Sequence, residues 1–244
     1  MKTLSLIVPY RNRPLHLKCM LDWFAITAAL NEQIELILVE YSEHPTEGLQ
    51  SGRNIKYVHE KGNGNFNIAK LLNIGLANSK AKMVTAYDVD LVPLDLSFRL
   101  HIELTEKLGE CLVTGHRLYY NEEYLSPLEI EQAKYRSAIA KDDTSEKFLK
   151  MQLIDGQRFG VLPFFNRKRM LDIGGWDERF EGWGGEDQDL IERYLDNSRY
   201  LLKCPDLLYI HLKHSSDTAG WNDQLLTQQN TQLYHAKREK QINL

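Results

Sequence analysis

Two kinds of apolar pattern recur along the 244-residue chain, and together they predict an α/β protein. Short runs of apolar and β-branched residues predict buried strands. Longer segments with apolar residues three and four positions apart predict amphipathic helices. Strands are predicted at 3–9, 34–41, 54–59, 81–87 and 111–115, and helices at 14–28, 68–77 and 98–108. Because helices join successive strands, we expect a mostly parallel central sheet flanked by helices.

The second half of the chain is less regular. Residues 121–150 are charged with little apolar periodicity, which favours an insertion over one edge of the fold; a plain solvated excursion is the alternative. Residues 221–244 are polar and Gln-rich, and predict a polar C-terminal surface helix or tail. Further strands are predicted at 160–166, 201–205 and 207–210, and helices at 167–175 and after Leu190. The length suits one domain over 1–244.

Composition and charge narrow the class of protein. The chain has 30 Lys and Arg against 34 Asp and Glu, which argues against a general nucleic-acid binder. Cys19, Cys111 and Cys204 lie far apart without metal-site spacing, so we expect a reduced compartment. The first apolar run ends at Pro9, too short for a signal peptide, and no run reaches membrane-spanning length. These features predict a cytoplasmic protein with at most peripheral association at the inner face of the membrane.

The segment 181–190 carries the clearest candidate chemistry. It places Trp183 among three glycines and follows it with an acidic cluster. The flat face of a tryptophan suits a sugar ring, and Glu186 or Asp187 could accept a proton from a hydroxyl on that face. The helical pattern that follows puts both carboxylates at a helix N-terminus, where the dipole favours their ionised form. The alternative is an ordinary glycine-rich loop before an acid-capped helix.

Two further sets of residues have metal-binding chemistry. Asp88 and Asp90 follow a predicted buried strand, and alternation would put both on one side of an extended chain. Paired carboxylates suit a hard divalent ion that carries substrate phosphates. His211 and His214 lie three positions apart, and neutral imidazole binds manganese or zinc. Taken alone, the pattern Asp-x-Asp is common by chance, and two histidines are more often ordinary surface or core residues.

Basic and polar residues near the N-terminus suit a nucleotide. Arg11 and Arg13 lie between the first strand and the first helix, where α/β folds bind phosphates. Solvated arginines are the alternative for either one alone. Glu40 falls at the carboxyl end of the second strand. Asn67, Lys70 and Asn73 face either a ligand or water.

Five segments in one order resemble the β-1,4-galactosyltransferase family. They are Pro9-Tyr10-Arg11-Asn12-Arg13, residues 66–75, residues 88–93, residues 182–187 and His214-Ser215. The resemblance runs from about Ser5 to Asp217, with 121–150 as its main gap. It implies a GT-A-type fold, a UDP-sugar donor, a Mn²⁺ or Mg²⁺ cofactor and inversion at the anomeric carbon.

The resemblance also implies roles for individual residues. Donor-binding residues would be Pro9, Arg11, Arg13, Glu40, Lys70, Asp88 and Trp183. Acceptor-binding residues would be Trp183, Gly185, Glu186 and Asp187, with Asp187 as the catalytic base. Asp90 and His214 would hold the metal. His211, also a candidate metal ligand, stands where vertebrate members typically have a methionine ligand, which implies a metal that is held more tightly or is a different one. Gln188 interrupts the acidic cluster of the family motif.

The function implied is transfer of a sugar, galactose in the first place, from a UDP-sugar to a glycan or glycolipid hydroxyl. Without the Golgi members' membrane anchor, the chain is more like a bacterial enzyme of surface polysaccharide synthesis. UDP-GalNAc and UDP-GlcNAc are alternative donors. A carbohydrate-binding protein without turnover is a rival, although it leaves Asp88, Asp90 and the arginines unexplained. A nucleotidyltransferase is another, but it would normally have a glycine-rich basic loop near the N-terminus.

Overall fold

Strands and helices alternate through the described part of the chain. The computed structural model describes residues 2–27, 32–94, 97–126, 128–129, 139–142, 146–196, 198–214 and 223–242. The strands are β1 (Leu4–Tyr10), β2 (Ile34–Ser42), β3 (Ile55–Lys61), β4 (Met83–Ala86), β5 (Leu91–Pro93), β6 (Cys111–Tyr120), β7 (Ile139–Asp142), β8 (Phe165–Asn166) and β9 (Tyr200–His211). The helices are α1 (Pro14–Ile26), α2 (Ile68–Asn78), α3 (Ser97–Lys107), α4 (Glu146–Leu153), α5 (Arg167–Asp172), α6 (Glu186–Leu195) and α7 (Gln224–Ile242).

The larger sheet has the order β3-β2-β1-β4-β8. Its first four strands are parallel and β8 is antiparallel to β4, so the predicted, mostly parallel sheet is confirmed. Every residue of β1 is buried. Alternate side chains of β1 point to opposite faces: Leu6 and Val8 share a cluster with Met20 of α1, and Ile7 shares one with Leu72 of α2.

The described residues also form a second sheet, with the order β5-β9-β6-β7. The segments predicted as two strands at 201–205 and 207–210 form one long strand, β9, because both pair with β6 across an irregularity near Thr114. The short strand β5 is antiparallel to β9 and pairs Leu91 with His211. On the other side of β9, His211 pairs with Tyr119 of β6. This register brings the carboxyl end of β9 beside the chain that follows β4.

Two predictions about strands are wrong. Asp88 and Asp90 do not lie along an extended chain, because residues 89–90 form a turn in which Leu91 N donates to Asp88 O at 3.0 Å. The strand predicted at 160–166 is reduced to Phe165–Asn166, since only these residues pair with β4. Within the predicted insertion at 121–150 the structure describes β7 and the start of α4, whereas residues 127, 130–138 and 143–145 lie outside the described residues.

The C-terminal helix α7 packs against α6. Tyr234 OH donates to Glu192 Oε1 at 2.7 Å, and Lys237 Nζ lies 2.5 Å from Asp189 Oδ1. Asn230 and Tyr234 are each only 3% exposed. The predicted polar C-terminal segment thus forms a helix at the surface, and the side of α7 that carries Asn230 and Tyr234 is covered by the body of the fold. Among the helices described, none combines the length and the hydropathy needed to cross a membrane.

Candidate active site

A carboxylate and two imidazoles meet where β4 and β9 end. Asp90, which is 3% exposed, lies in the turn before β5, and its backbone oxygen accepts from Leu212 N at 2.9 Å. His211 Nε2 lies 3.5 Å from Asp90 Oδ1, and His214 Nε2 lies 3.6 Å from Asp90 Oδ2. One potential ligand atom from each residue lies within 4.8 Å of the other two. The structure therefore brings together all three residues predicted to hold a metal.

The electrostatics of this cluster suit a cation. Burial would raise the pKa of Asp90, but His211, Arg13 and His214 outweigh it and lower the pKa to about 2. Arg13 Nη1 donates to Asp90 Oδ2 at 2.5 Å. Among the described residues, Asp90 Oδ1 and His211 Nδ1 are buried without a hydrogen-bond partner that meets normal geometry. An ionised carboxylate with one unpartnered oxygen, beside two imidazoles, fits Mn²⁺ or Zn²⁺ better than Mg²⁺, which prefers oxygen ligands.

Two residues that the sequence analysis did not single out orient the histidines. His16 of α1 is 5% exposed, and its Nε2 donates to Lys213 O at 2.9 Å. This bond fixes the backbone next to His214. Tyr119 places its ring edge-on against His211, with 5.0 Å between ring centroids. No local sequence signal identifies either residue, since each acts on a partner about ninety to two hundred positions away in the chain.

Asp88 connects the metal cluster to the acidic helix. Burial raises its pKa to about 6, and the charges of Asp90 and Asp187 add to this shift. Arg117 of β6 opposes it, so this guanidinium also lies close to the carboxylates. Arg117 was missed because the strand predicted at 111–115 ended before it, whereas β6 continues to Tyr120. Because this pKa lies near neutral pH, nearby charges can shift Asp88 between its protonated and its ionised form.

Glu186 and Asp187 begin α6, as the sequence predicted, but Glu186 is not held in its ionised form. Glu186 is 7% exposed, and its Oε2 has no hydrogen-bond partner among the described residues. Burial, aided by the charge of Asp187, raises the pKa of Glu186 to about 8. The predicted effect of the helix dipole is thus outweighed for this residue, because desolvation of a buried carboxylate is the larger effect.

Asp187 has a different environment from its neighbour. Its side chain is exposed to solvent, although the surrounding protein still desolvates the carboxyl group. This desolvation raises the pKa of Asp187, whereas the indole N–H of Trp176 and the charge of Arg117 lower it. The Trp176 N–H points to Asp187 without normal hydrogen-bond geometry, since Nε1 has no partner among the described residues. The two adjacent carboxyls therefore differ in solvent access and in their nearest polar groups.

Trp183 stands out from the surface beside this pair. Its side chain is 54% exposed, which is unusual for tryptophan and leaves the ring available to a ligand. The flanking Gly182, Gly184 and Gly185 have φ values of 72°, 100° and 90°, a region that favours glycine. Gly182 also forms a parallel bridge with Asn67.

The nucleotide candidates before α1 have distinct partners. Pro9 is buried in β1, next to Val39 of β2. Arg11 donates from Nη1 to Gly64 O at 2.7 Å and from Nη2 to Asn63 O at 3.3 Å. Arg13 reaches the metal cluster through Asp90. Arg11 therefore holds the loop before α2, and Arg13 holds a proposed metal ligand.

Glu40 and Lys70 are already paired within the chain. Glu40 is 2% exposed and accepts from Thr46 N and Oγ1, Ser42 Oγ and Tyr57 OH. Lys70 Nζ lies 2.6 Å from Glu60 Oε1. These contacts give Glu40 a part in shaping the loop after β2. Contact of either residue with a sugar donor stays a prediction.

Polar residues of α2 and α6 bind neighbouring chain segments. Asn67 Nδ2 donates to Glu178 O at 2.9 Å, and Asn73 Nδ2 donates to Trp176 O at 2.8 Å. The two alternatives considered for these asparagines, a ligand or water, both need correction, because they hold residues 176–178. Gln188, which interrupts the acidic motif, donates to Gln157 Oε1 at 3.1 Å.

Comparisons with known proteins agree with the resemblance seen in the motifs. Residues 146–215 match the family model described as "N-terminal domain of galactosyltransferase". Chondroitin synthase of Escherichia coli is 25% identical over 280 residues, 97% of this chain and 40% of that protein. Human β-1,4-galactosyltransferase 3 is 26% identical over 220 residues, 87% of this chain and 43% of that protein. The chain thus spans about two fifths of the length of these relatives.

The fold also matches a solved glycosyltransferase. The crystal structure of GalNAc-T7 with UDP, GalNAc and Mn²⁺ has a TM-score of 0.62 and 14% sequence identity, and the match covers 100% of this chain and 52% of that one. At this identity the likeness establishes the fold alone. The predicted GT-A fold is confirmed.

Proposed function

We propose that this chain, with a GT-A fold and a resemblance to β-1,4-galactosyltransferases, is a metal-dependent, inverting glycosyltransferase that moves galactose from a UDP-sugar to a carbohydrate hydroxyl. The observation that carries the proposal is the meeting of two chemistries at Asp88. One is the Asp90, His211 and His214 cluster, and the other is the Glu186 and Asp187 pair. Besides burial, the charges of Asp90 and Asp187 both raise the pKa of Asp88, which supports a single site between the two groups.

The nucleotide diphosphate is assigned to the cluster at the ends of β4 and β9. When bound there, a divalent ion would neutralise the negative charge of the departing UDP. Arg13 keeps Asp90 ionised and oriented through its 2.5 Å contact. Arg11 holds residues 63–64 at the same end of the sheet. Asp88 binds the donor sugar and phosphate side, and Arg117 limits the repulsion between its carboxylate and an anionic substrate.

The acid–base work is divided between adjacent carboxyls. Asp187 takes the proton of the acceptor hydroxyl as that oxygen attacks the anomeric carbon from the face opposite to UDP. Burial raises the pKa of Asp187, but its access to solvent, the indole N–H of Trp176 and the nearby Arg117 charge oppose this shift and support an ionised base. Glu186, whose pKa is raised to about 8, is protonated at neutral pH and donates a hydrogen bond to the acceptor. Neighbouring groups with pKa values pushed apart are typical of such divided roles.

Positioning completes the mechanism. The exposed face of Trp183 holds sugar, and Gly185 allows the backbone to approach the acceptor closely. Fixing two reactants in an attack geometry can by itself remove about 7–11 kcal/mol of barrier. Closure of the glycine-rich segments at 62–65 and 182–185 would keep water from acting as the acceptor.

The test is a screen of UDP-sugars for UDP release with Mn²⁺, with Mg²⁺ and with a chelator. We expect metal-dependent release from UDP-galactose in the presence of a glycan acceptor. UDP-GalNAc is the second donor, because GalNAc appears with UDP in the fold neighbour; UDP-GlcNAc is the third. An Asp187→Asn variant serves as the control. It should bind UDP normally but form UDP from UDP-galactose slowly.

Other outcomes would replace the proposal. Binding of glycans without UDP release from any donor, with or without metal, would identify a carbohydrate-binding protein. Release of pyrophosphate from UTP and a sugar phosphate would identify a nucleotidyltransferase. Involvement in bacterial surface polysaccharide synthesis belongs to the same proposal and is supported by the similarity to the Escherichia coli chondroitin synthase. A glycolipid acceptor and contact with the membrane surface stay predictions.

A further inference from the structure

The segment that carries Trp183 has little of its own to fix its position. Three of its residues are glycines at positive φ, and the ring of Trp183 is 54% exposed instead of packed in the core. Glycines have more conformational freedom than other residues, so such a loop needs outside contacts to keep one conformation. On one side, Gly182 forms a backbone bridge with Asn67.

The contact on the other side comes from the C-terminal helix. Asn230 of α7 donates from Nδ2 to Glu181 O at 2.7 Å and to Trp183 O at 3.1 Å. These carbonyls lie on either side of Gly182, so one carboxamide spans the turn that presents the tryptophan. Asn230 is 3% exposed, which shields both bonds from water. A Cβ atom on Gly185 would lie 3.4 Å from the backbone oxygen of Asn230, so the backbone of α7 also approaches this segment closely.

Helix α7 is itself held at a fixed position. Lys237 Nζ lies 2.6 Å from Asp177 Oδ2 and 2.5 Å from Asp189 Oδ1. Tyr234 OH donates to Glu192 of α6 at 2.7 Å. These contacts lie C-terminal to Asn230 and do not involve the tryptophan loop, residues 181–185. The packing of α7 against α6 and the hydrogen bonds from Asn230 to the loop can therefore be perturbed separately.

We propose that Asn230 is a positioning residue that sets Trp183 in place for sugar. It acts through the two carbonyls and touches no substrate. The inference rests on the proposed function for the identity of the sugar, but the effect on the loop is independent of it. The C-terminal helix thereby becomes part of the sugar site, although it lies about forty positions beyond it in the chain.

The experiment compares Asn230→Ala with Gln229→Ala, which removes an exposed amide from the adjacent position of α7. Hydrogen exchange of a peptide covering 181–185 should become faster in the first variant and stay unchanged in the second. By calorimetry with Mn²⁺, affinity for UDP-galactose should fall about tenfold in Asn230→Ala, while affinity for UDP should change little. Tenfold corresponds to about 1.4 kcal/mol, within the range expected for two buried hydrogen bonds.

Tyr234→Phe separates the loop from helix docking. It removes the contact with Glu192, so thermal stability should fall while exchange at 181–185 stays normal. Unchanged exchange in Asn230→Ala would overturn the proposal, as would equal acceleration in Tyr234→Phe. Faster exchange with unaltered UDP-galactose affinity would overturn the link to sugar. If wild-type protein releases no UDP from UDP-galactose, the donor assignment fails, and the exchange result still decides the role of Asn230.

Discussion

Replacing Glu186 with glutamine tests whether a buried, protonated carboxyl lies in the site. The pKa of Glu186 is raised from 4.5 to about 8, mainly by burial. The folded state therefore binds more protons than the unfolded state between these values. Stability contributed by the protonated group is fully present below about pH 4.5 and is lost as the pH rises through about 8.

The size of the effect follows from the shift. Each pKa unit corresponds to about 1.4 kcal/mol, so wild-type protein should lose ~3–4 kcal/mol from this group between about pH 5 and about pH 8. This is an upper limit, because the charge of Asp187 supplies part of the shift. Glutamine cannot ionise, so Glu186→Gln should lack this loss. Its buried amide adds a penalty of about 1–3 kcal/mol if unpaired, but that penalty is the same at every pH.

The assay is denaturant unfolding across this pH range, with wild type, Glu186→Gln and Glu181→Gln compared at each pH. Glu181 is an exposed glutamate in the same segment and controls for the loss of one carboxyl. We expect the variant to gain stability relative to wild type as the pH rises, while the control follows wild type. A constant difference between Glu186→Gln and wild type from acid to alkaline pH would refute the reasoning.

Three further predictions concern the base, the metal and the sugar. Asp187→Asn should slow transfer at saturating substrates by about a hundredfold to ten-thousandfold with UDP affinity nearly unchanged. If Asp187→Asn keeps near-normal turnover while Glu186→Gln loses it, the base is Glu186. His214→Ala should raise the Mn²⁺ concentration needed for UDP binding in calorimetry, and His211→Ala should do the same; an effect of only the first would make His211 a bystander. Trp183→Ala should abolish most transfer yet change the melting temperature little, since the ring is 54% exposed. As a control, replacing the buried Trp176 with alanine should lower the free energy of unfolding by about 3–5 kcal/mol. A Trp183→Ala variant that fails to fold would place the Trp183 ring in the core.

Local pattern predicted much of the fold correctly. The strands near β1 and β2 and the helix α2 were found from their apolar runs, because a buried strand or one apolar helix face leaves a mark in contiguous sequence. The pattern failed at Asp88 and Asp90, where a turn replaces the expected extended chain. It also split β9 at residue 206, whereas β9 runs from Tyr200 to His211 and pairs with β6 both before and after Pro205 and Asp206.

The candidate side chains of the site were all recognisable in the linear chain: Trp183 among glycines, the acidic pair, Asp-x-Asp and the two histidines, in the order of the β-1,4-galactosyltransferase family. Their arrangement required folding, because the pairing of Leu91 in β5 with His211 sets Asp90 beside an imidazole. The folded structure alone revealed Arg117 near the carboxylates and Asn230 under the tryptophan loop. Burial in the folded protein also raises the pKa of Glu186 to about 8, which favours the neutral form over the ionised form expected from the helix dipole. This difference arises because periodicity records which face of an element is buried, whereas protonation and hydrogen bonding depend on groups that only folding brings near.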